Sequence, residues 1–155
     1  RSIRYPGIIS HKSPPGGGTT DYAIAMFHAA TCGERYTCYL GPETTLPMIY
    51  MPDAIRAAIE LMEAPAERIR VRSAYNVAGL SFNPRGLAQA IRQRVPKFDI
   101  SYQPDHRQAI ADSWPRSLDD TYARADWGWH AALGLEQLVD VMIAHIKVPT
   151  FHHTA

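Results

Sequence analysis

The residues best suited to holding a small polar molecule lie near the amino end, in "RYPGIISHKSPPGGGTTDYA" at positions 4–23. Gly16, Gly17 and Gly18 would let backbone N–H groups approach a ligand. Thr19 and Thr20 add hydroxyls, and a following helix would add the positive end of its dipole. Such a stretch can grip a carboxylate or another anion; it is also what a flexible connection looks like. The G-x-x-x-x-G-K-[ST] spacing of a phosphate loop and its lysine are missing, and there is no dinucleotide fingerprint.

The remaining candidates are weaker. None of the seven histidines falls at metal-ligand spacing, and the adjacent rings of His152 and His153 cannot both reach one ion from a helix. His28 falls near an apolar helix face and reads as a satisfied core or boundary histidine. Asp119-Asp120 is either a carboxylate pair or the solvated start of a helix. Trp114, Trp127 and Trp129 can line a pocket or pack between elements. No Ser–His–Asp arrangement and no Tyr-x-x-x-Lys pair is present, so the residues name no catalytic group and no metal ligand.

The elements that must position these residues follow from composition and periodicity. With 155 residues, 46% hydrophobic, 20% charged and a formal net charge of +1, the chain suits one folded domain. Its charge excludes a nucleic-acid or membrane surface driven by bulk electrostatics. Its apolar runs fall far short of the roughly 18 residues of a spanning helix. Cys32 and Cys38 are too few for a disulfide framework and read as reduced, buried thiols of a cytoplasmic protein.

Positions 3–10 suggest a strand broken at Pro6-Gly7. "DYAIAMFHAAT" (21–31) suggests a helix capped by Thr20 or Asp21 and ended by Gly33. Strands are expected at 35–40 and 47–51, joined by a Gly41-Pro42 turn. The helix opening at Pro52-Asp53 would bury Ile55, Ala58, Ile59 and Met62, with Arg56, Glu60 and Glu63 facing away. Positions 68–79 read as a strand, Asn83-Pro84 as the start of a helix to Val95, and 98–103 as another strand. Leu135, Leu138, Val139, Met142, Ile143 and Ile146 mark an amphipathic helix, and "VPTFHHTA" has no pattern. The expected fold is α/β: Ile3–Ile9 and Val71–Val77 as terminal strands of a larger parallel sheet, with a small α/β lobe beside them.

In order along the chain, "RYPGIIS", "PPGGGTTDYA", "LPMIYMPDAIRAAIELMEAPAER", "YNVAGLSFNP", "RQAIADSWP" and "SLDDTYARADWGW" resemble the C-terminal half of the short-chain-type L-threonine 3-dehydrogenases. These are epimerase-like members of the extended short-chain dehydrogenase superfamily. "YNVAG" recurs across that superfamily, whereas "GGGTTDYA", "ADSWP" and "ADWGW" together favour the threonine enzymes. The resemblance covers positions 2 to about 147 and makes 1–147 the substrate-binding portion of a Rossmann-like fold, with 148–155 a tail. Its N-terminal Rossmann half, with the pyrophosphate loop and the catalytic Tyr-x-x-x-Lys, has no counterpart here.

The activity so implied is oxidation of L-threonine by NAD to 2-amino-3-oxobutanoate, with the isolated chain inactive and the full-length family member a homodimer. By resemblance, Tyr5, Pro6, Gly7 and Ile8 lie beside the nicotinamide. Thr19, Thr20 and Trp114 face the substrate, while Trp127 and Trp129 pack. A fragment of a sugar-nucleotide epimerase or dehydratase is the alternative, since Arg107 and Arg116 flank Trp114 and could meet phosphates. A non-catalytic remnant or scaffold is the other.

Overall fold

The computed structural model describes residues 1–146; the tail at 148–155, with His152 and His153, lies outside them. The chain runs β1 (Ile3–Arg4), β2 (Gly7–Ile9), α1 (Tyr22–Cys32), β3 (Tyr36–Cys38), β4 (Leu46–Tyr50), α2 (Met51–Glu63) and β5 (Tyr75–Asn76). It continues through β6 (Leu80–Phe82), α3 (Pro84–Arg92), β7 (Ile100–Tyr102), α4 (His106–Asp112), α5 (Thr121–Trp127) and α6 (Leu135–His145). This is the expected mixture of helices and mostly parallel strands. β1 pairs in parallel with β5, β2 in parallel with β4, and β3 in parallel with β7, while β6 runs antiparallel to β4.

β4 is buried at all five positions, and its side chains alternate between two cores. Leu46, Met48 and Tyr50 join α1, α3 and α6 in the larger one. Ile49 points the other way, into a smaller core with Ala54, Ala57 and Leu61 of α2, Tyr75, Trp127 and Trp129. β2 divides likewise, Ile9 into the larger core and Ile8 against the smaller. The period of two along a strand separates the cores. A glycine is required where the chain crosses this sheet: a Cβ on Gly79 would lie 2.4 Å from the Met48 carbonyl oxygen.

Several expectations are corrected. The strand broken at Pro6-Gly7 becomes β1 and β2 in different sheets, because proline cannot donate to a ladder. The 35–40 and 47–51 strands form but do not pair; β3 takes its partner from β7, more than sixty residues on. Most of the strand read at 68–79 is a tied loop. The Arg70 and Val71 backbone N–H groups donate to the Tyr75 hydroxyl at 3.1 and 3.2 Å, leaving only Tyr75–Asn76 in a sheet. Asn83 caps α3 as expected, accepting the Gly86 N–H at 2.8 Å.

α2 is rotated from the expected face. Asp53, Ala54, Ala57 and Leu61 are buried, while Ile55, Ile59 and Met62 are exposed. Buried Asp53 explains the rotation. Its carboxylate accepts from Arg56 at 2.9 Å and from the Ala132 N–H at 3.0 Å, and Arg56 also donates to the His130 carbonyl and lies 4.7 Å from the centroid of the Trp129 ring. Among the thiols, Cys38 is buried and Cys32 exposed, and both are free.

The smaller core is closed by Asp126, which is 2% exposed. Its carboxylate accepts from the Tyr75 hydroxyl at 2.6 Å, from Arg70 Nε at 2.6 Å and from the other arm of the Arg70 guanidinium. The Arg70 hydrogen bonds, against the opposing effect of burial, hold the Asp126 carboxyl below the usual carboxylate range. A depressed folded-state pKa gives stability that is present above the unfolded pKa and lost as pH falls below it. Asp126→Ala is therefore expected to cost about 1.5–3 kcal/mol in urea unfolding at neutral pH. That difference should shrink below about pH 4; a pH-independent difference would mean that packing, not charge, carries the contact.

Candidate functional site

β1 and β2 meet at Tyr5-Pro6-Gly7, and these residues form one wall of a cavity of about 280 Å³. Thr20 closes it from the turn before α1, Pro47 from β4, and Trp114, Pro115 and Leu118 from the segment after α4. Five residues expected at a ligand, Tyr5, Pro6, Gly7, Thr20 and Trp114, thus share one cavity. Ile8 points instead into the smaller core, as its alternation with Gly7 and Ile9 dictates. Thr19 is half-buried and is not part of the lining. Pro47, Pro115 and Leu118 were not anticipated; the Trp-Pro pair was the available signal for Pro115.

Gly7 sets how closely the walls approach. A Cβ there would lie 2.6 Å from Thr20 Cγ2 and 2.6 Å from Met48 Sδ. The Thr20 methyl therefore seats on the glycine. Tyr5 turns its hydroxyl out of play, donating to the Ala54 carbonyl at 2.7 Å, and burial raises its pKa. Among the described residues no carboxylate, imidazole or amine lines the cavity. It can orient a small molecule and exclude water, but its lining offers no base near neutral pH.

The glycine loop is tied from both sides. Asp21, half-buried, occupies the N-cap position of α1 as expected but makes no side-chain cap bond to that helix. Its carboxylate instead accepts the Gly16 N–H at 2.7 Å and the Gly18 N–H at 3.0 Å. The chain thus supplies its own anion to the amides expected to grip a ligand carboxylate. Gly17, at φ 90°, makes the bend that allows this. From the other side the Tyr39 hydroxyl donates to the Gly18 carbonyl at 2.8 Å and Arg107 to the Gly17 carbonyl at 3.2 Å. Arg107 also lies 3.2 Å from the centroid of the Tyr39 ring and donates to Asp105 at 2.6 Å. That bond holds the Asp105 carboxyl down at about 2.

Trp114 is 43% exposed and also borders a neighbouring cavity of about 320 Å³ lined by Thr44, Thr45, Asp112 and Arg116 among others. Trp127 and Trp129 pack as expected: Trp127 meets Tyr75 edge-on at 6.0 Å, and the Trp129 indole N–H donates to the Ala78 carbonyl at 3.0 Å. Asp119 starts α5 by accepting the Thr121 N–H at 3.0 Å, and Asp120 is buried against Arg124, so the pair is structural. His28 is a boundary residue but not a satisfied one. Its Nε2 is buried with no partner among the described residues. Among the described residues no three His, Cys, Asp or Glu side chains are placed to hold a metal ion, and no helix is long and apolar enough to cross a membrane.

The mixed α/β arrangement with its parallel strand pairs resembles that of the epimerase-like short-chain dehydrogenases. A nucleoside-diphosphate-sugar epimerase from Agrobacterium tumefaciens superposes at a TM-score of 0.77 over 92% of the chain, at 18% identity, which establishes the fold alone. Within that class the chain matches the C-terminal part of GalE-like L-threonine 3-dehydrogenases. The GalE-like L-threonine dehydrogenase of Cupriavidus necator is 62% identical, with a TM-score of 0.93 over 95% of the chain. A mitochondrial L-threonine 3-dehydrogenase of Bos taurus is 51% identical over 144 residues, 92% of the chain. The chain spans 48% of the length of the former and 38% of the latter. No protein-family model matches it.

Asp21 generates a local test. Asp21→Ala should free the Gly16 and Gly18 amides and speed their hydrogen exchange about 10- to 100-fold, the equivalent of about 1.5–3 kcal/mol of charged hydrogen bonding. Exchange unchanged from wild type would mean that Tyr39 and Arg107 hold the loop alone.

Proposed function

We propose that the chain supplies the substrate side of an NAD-dependent L-threonine 3-dehydrogenase, and that the Tyr5–Thr20–Trp114 cavity takes L-threonine. The observation that carries this is the convergence of Tyr5, Pro6, Gly7, Thr20 and Trp114, from separate stretches of chain, on one cavity of about 280 Å³. That size is at the low end of the roughly 300–1,000 Å³ of small-molecule sites and suits an amino acid. Thr20 presents a hydroxyl to the amino acid's charged groups, while Trp114 and Pro115 shield the reacting carbon from water.

The uncharged face of Tyr5, Pro6 and Gly7 fits one side of a nicotinamide ring, and these residues would hold it there. When bound, NAD supplies a hydride acceptor. The lining carries no base, so the threonine hydroxyl proton leaves to a group beyond this cavity wall. We place that group in the portion of the longer relatives that lies outside the matched segment. The exposed stripe of Ile55, Ile59 and Met62 on α2 gives such a portion an apolar face to cover. The two free cysteines suit a reducing compartment such as the cytoplasm.

A sugar-nucleotide substrate is less well served. Of the two arginines that could meet its phosphates, Arg107 is committed to Asp105, Tyr39 and the Gly17 carbonyl. Only Arg116 lines the cavity on the far side of Trp114.

The test uses the enzyme assembled from this chain and the NAD-binding half of a GalE-like relative. Thr20→Val keeps the methyl seated on Gly7 and removes the hydroxyl. It should lower kcat/KM for threonine about 10- to 100-fold, with NAD affinity and melting temperature unchanged. Thr19→Val should stay close to wild type. If Thr20→Val also keeps wild-type kinetics at saturating NAD, the cavity is not the threonine site.

A further inference from the structure

A second cavity lies beyond the carboxyl end of β2. It has a volume of about 510 Å³ and is lined by His11, Lys12, Ser13, Pro14, His28 and His145. Three imidazoles and an ammonium face it, and none of the six is acidic. They come from three separate elements: the loop after β2, helix α1 and helix α6.

The hydrogen bonds fix how these rings present themselves. His145 Nδ1 lies 2.8 Å from the Val141 carbonyl oxygen, which can only accept. Nδ1 therefore carries the proton, and the neutral ring turns a lone pair outward at Nε2. Protonation converts that nitrogen into a charged donor. The His11 and His145 rings are 5.0 Å apart, and His11 Nδ1 is 2.7 Å from the Tyr50 hydroxyl. His28 Nε2 is buried with no partner among the described residues. Burial first, then His145 and Lys12, lower the His11 pKa; an anion between them would relieve that repulsion. The charges behind the cavity do not supply one. Asp53, beyond Tyr50, is committed to Arg56 and the Ala132 N–H.

We propose that this cavity is a second binding site, for a phosphoryl dianion presented as a phosphomonoester or as free phosphate. Donors arriving from three elements suit a tetrahedral group with oxygens on every side. A planar carboxylate is best met by an arginine fork, and no arginine lines the cavity. The assignment does not depend on threonine occupying the Thr20 cavity. Occupancy rises as the cavity gains positive charge, so the site fills as pH falls.

Sulfate, dianionic across the histidine range, is the first probe. Titrated into the 155-residue chain at constant ionic strength, it should shift the NMR signals of His11, His28 and His145. Its affinity should rise about tenfold from about pH 8 to about pH 6. His145→Gln should lessen that pH dependence at an unchanged melting temperature, and Lys12→Gln should weaken binding at both pH values. Glycerol phosphate and inorganic phosphate then separate the sources. Tighter binding of the ester names a phosphomonoester, and equal or tighter binding of phosphate names the free ion. The proposal fails if neither binds, if sulfate leaves the three histidine signals unmoved, or if a His28→Gln/His145→Gln double variant that melts like wild type binds sulfate as before.

Discussion

The alternation of side chains along β4 is the constraint on which the rest of this molecule depends. Leu46, Met48 and Tyr50 face the larger core and Ile49 the smaller, so one strand is the partition between two hydrophobic interiors. A slip of one residue would exchange them. Parallel β2 on one edge and antiparallel β6 on the other fix that register. Gly7 and Gly79 keep β-carbons out of the places where side chain or backbone crosses it. The Thr20 cavity opens where β2 begins and the histidine cavity beyond its end. Both therefore inherit their geometry from the same partition rather than from the loops that complete them.

Electrostatics in the candidate site follow a different logic from the one its composition suggests. A glycine-rich turn ahead of a helix is a ready anion site, yet here the anion is internal. Asp21 takes the Gly16 and Gly18 amides, and Tyr39 and Arg107 hold the carbonyls of the same turn. The loop is thereby stiffened, and the residue it contributes to the cavity is the uncharged Thr20. A stiff neutral wall is well matched to the task we assign, since hydride transfer needs a short aligned path more than it needs another charge beside the substrate's own two.

Much of this was legible in the residues, and the failures have physical causes. Helices with local caps, such as α3 behind Asn83, were readable because their signals lie within four residues. β3 was readable as a strand but its partner was not, because β7 is distant in sequence and no local rule selects it. The 68–74 stretch alternates like a strand, yet Tyr75 and Asp126 capture its amides and its arginine. α2 shows the same limit more sharply. Its strongest apolar stripe, Ile55–Ile59–Met62, faces outward because Asp53 must reach Arg56 and the Ala132 amide. Periodicity counts apolar residues and cannot weigh a buried carboxylate with two donors. At the site, the resemblance gathered five cavity residues, whereas the period of two along β2 was enough to separate Ile8 from them. His28 looked satisfied because the emptiness beside its ring is a property of α6 and of the turn after β2, not of α1.

The two cavities share β2 and α1, since Thr20 precedes that helix and His28 lies within it. Shared elements do not by themselves make shared behaviour. Between the cavities, α1 buries Tyr22, Ala23, Ile24, Met26 and Phe27 against the larger core, and close-packed interiors transmit strain only when a second arrangement of comparable energy exists. Among the described residues the packing of α1 shows none: Gly33 ends it in a left-handed turn at φ 72°, and seven of its residues are buried. Binding at one end of β2 would therefore alter the other end through the long-range field of the bound charge. At the surface, that field is screened beyond a Debye length, about 8 Å at physiological salt. The fold thus presents two cavities on a common scaffold, with no packed element switching between them among the described residues.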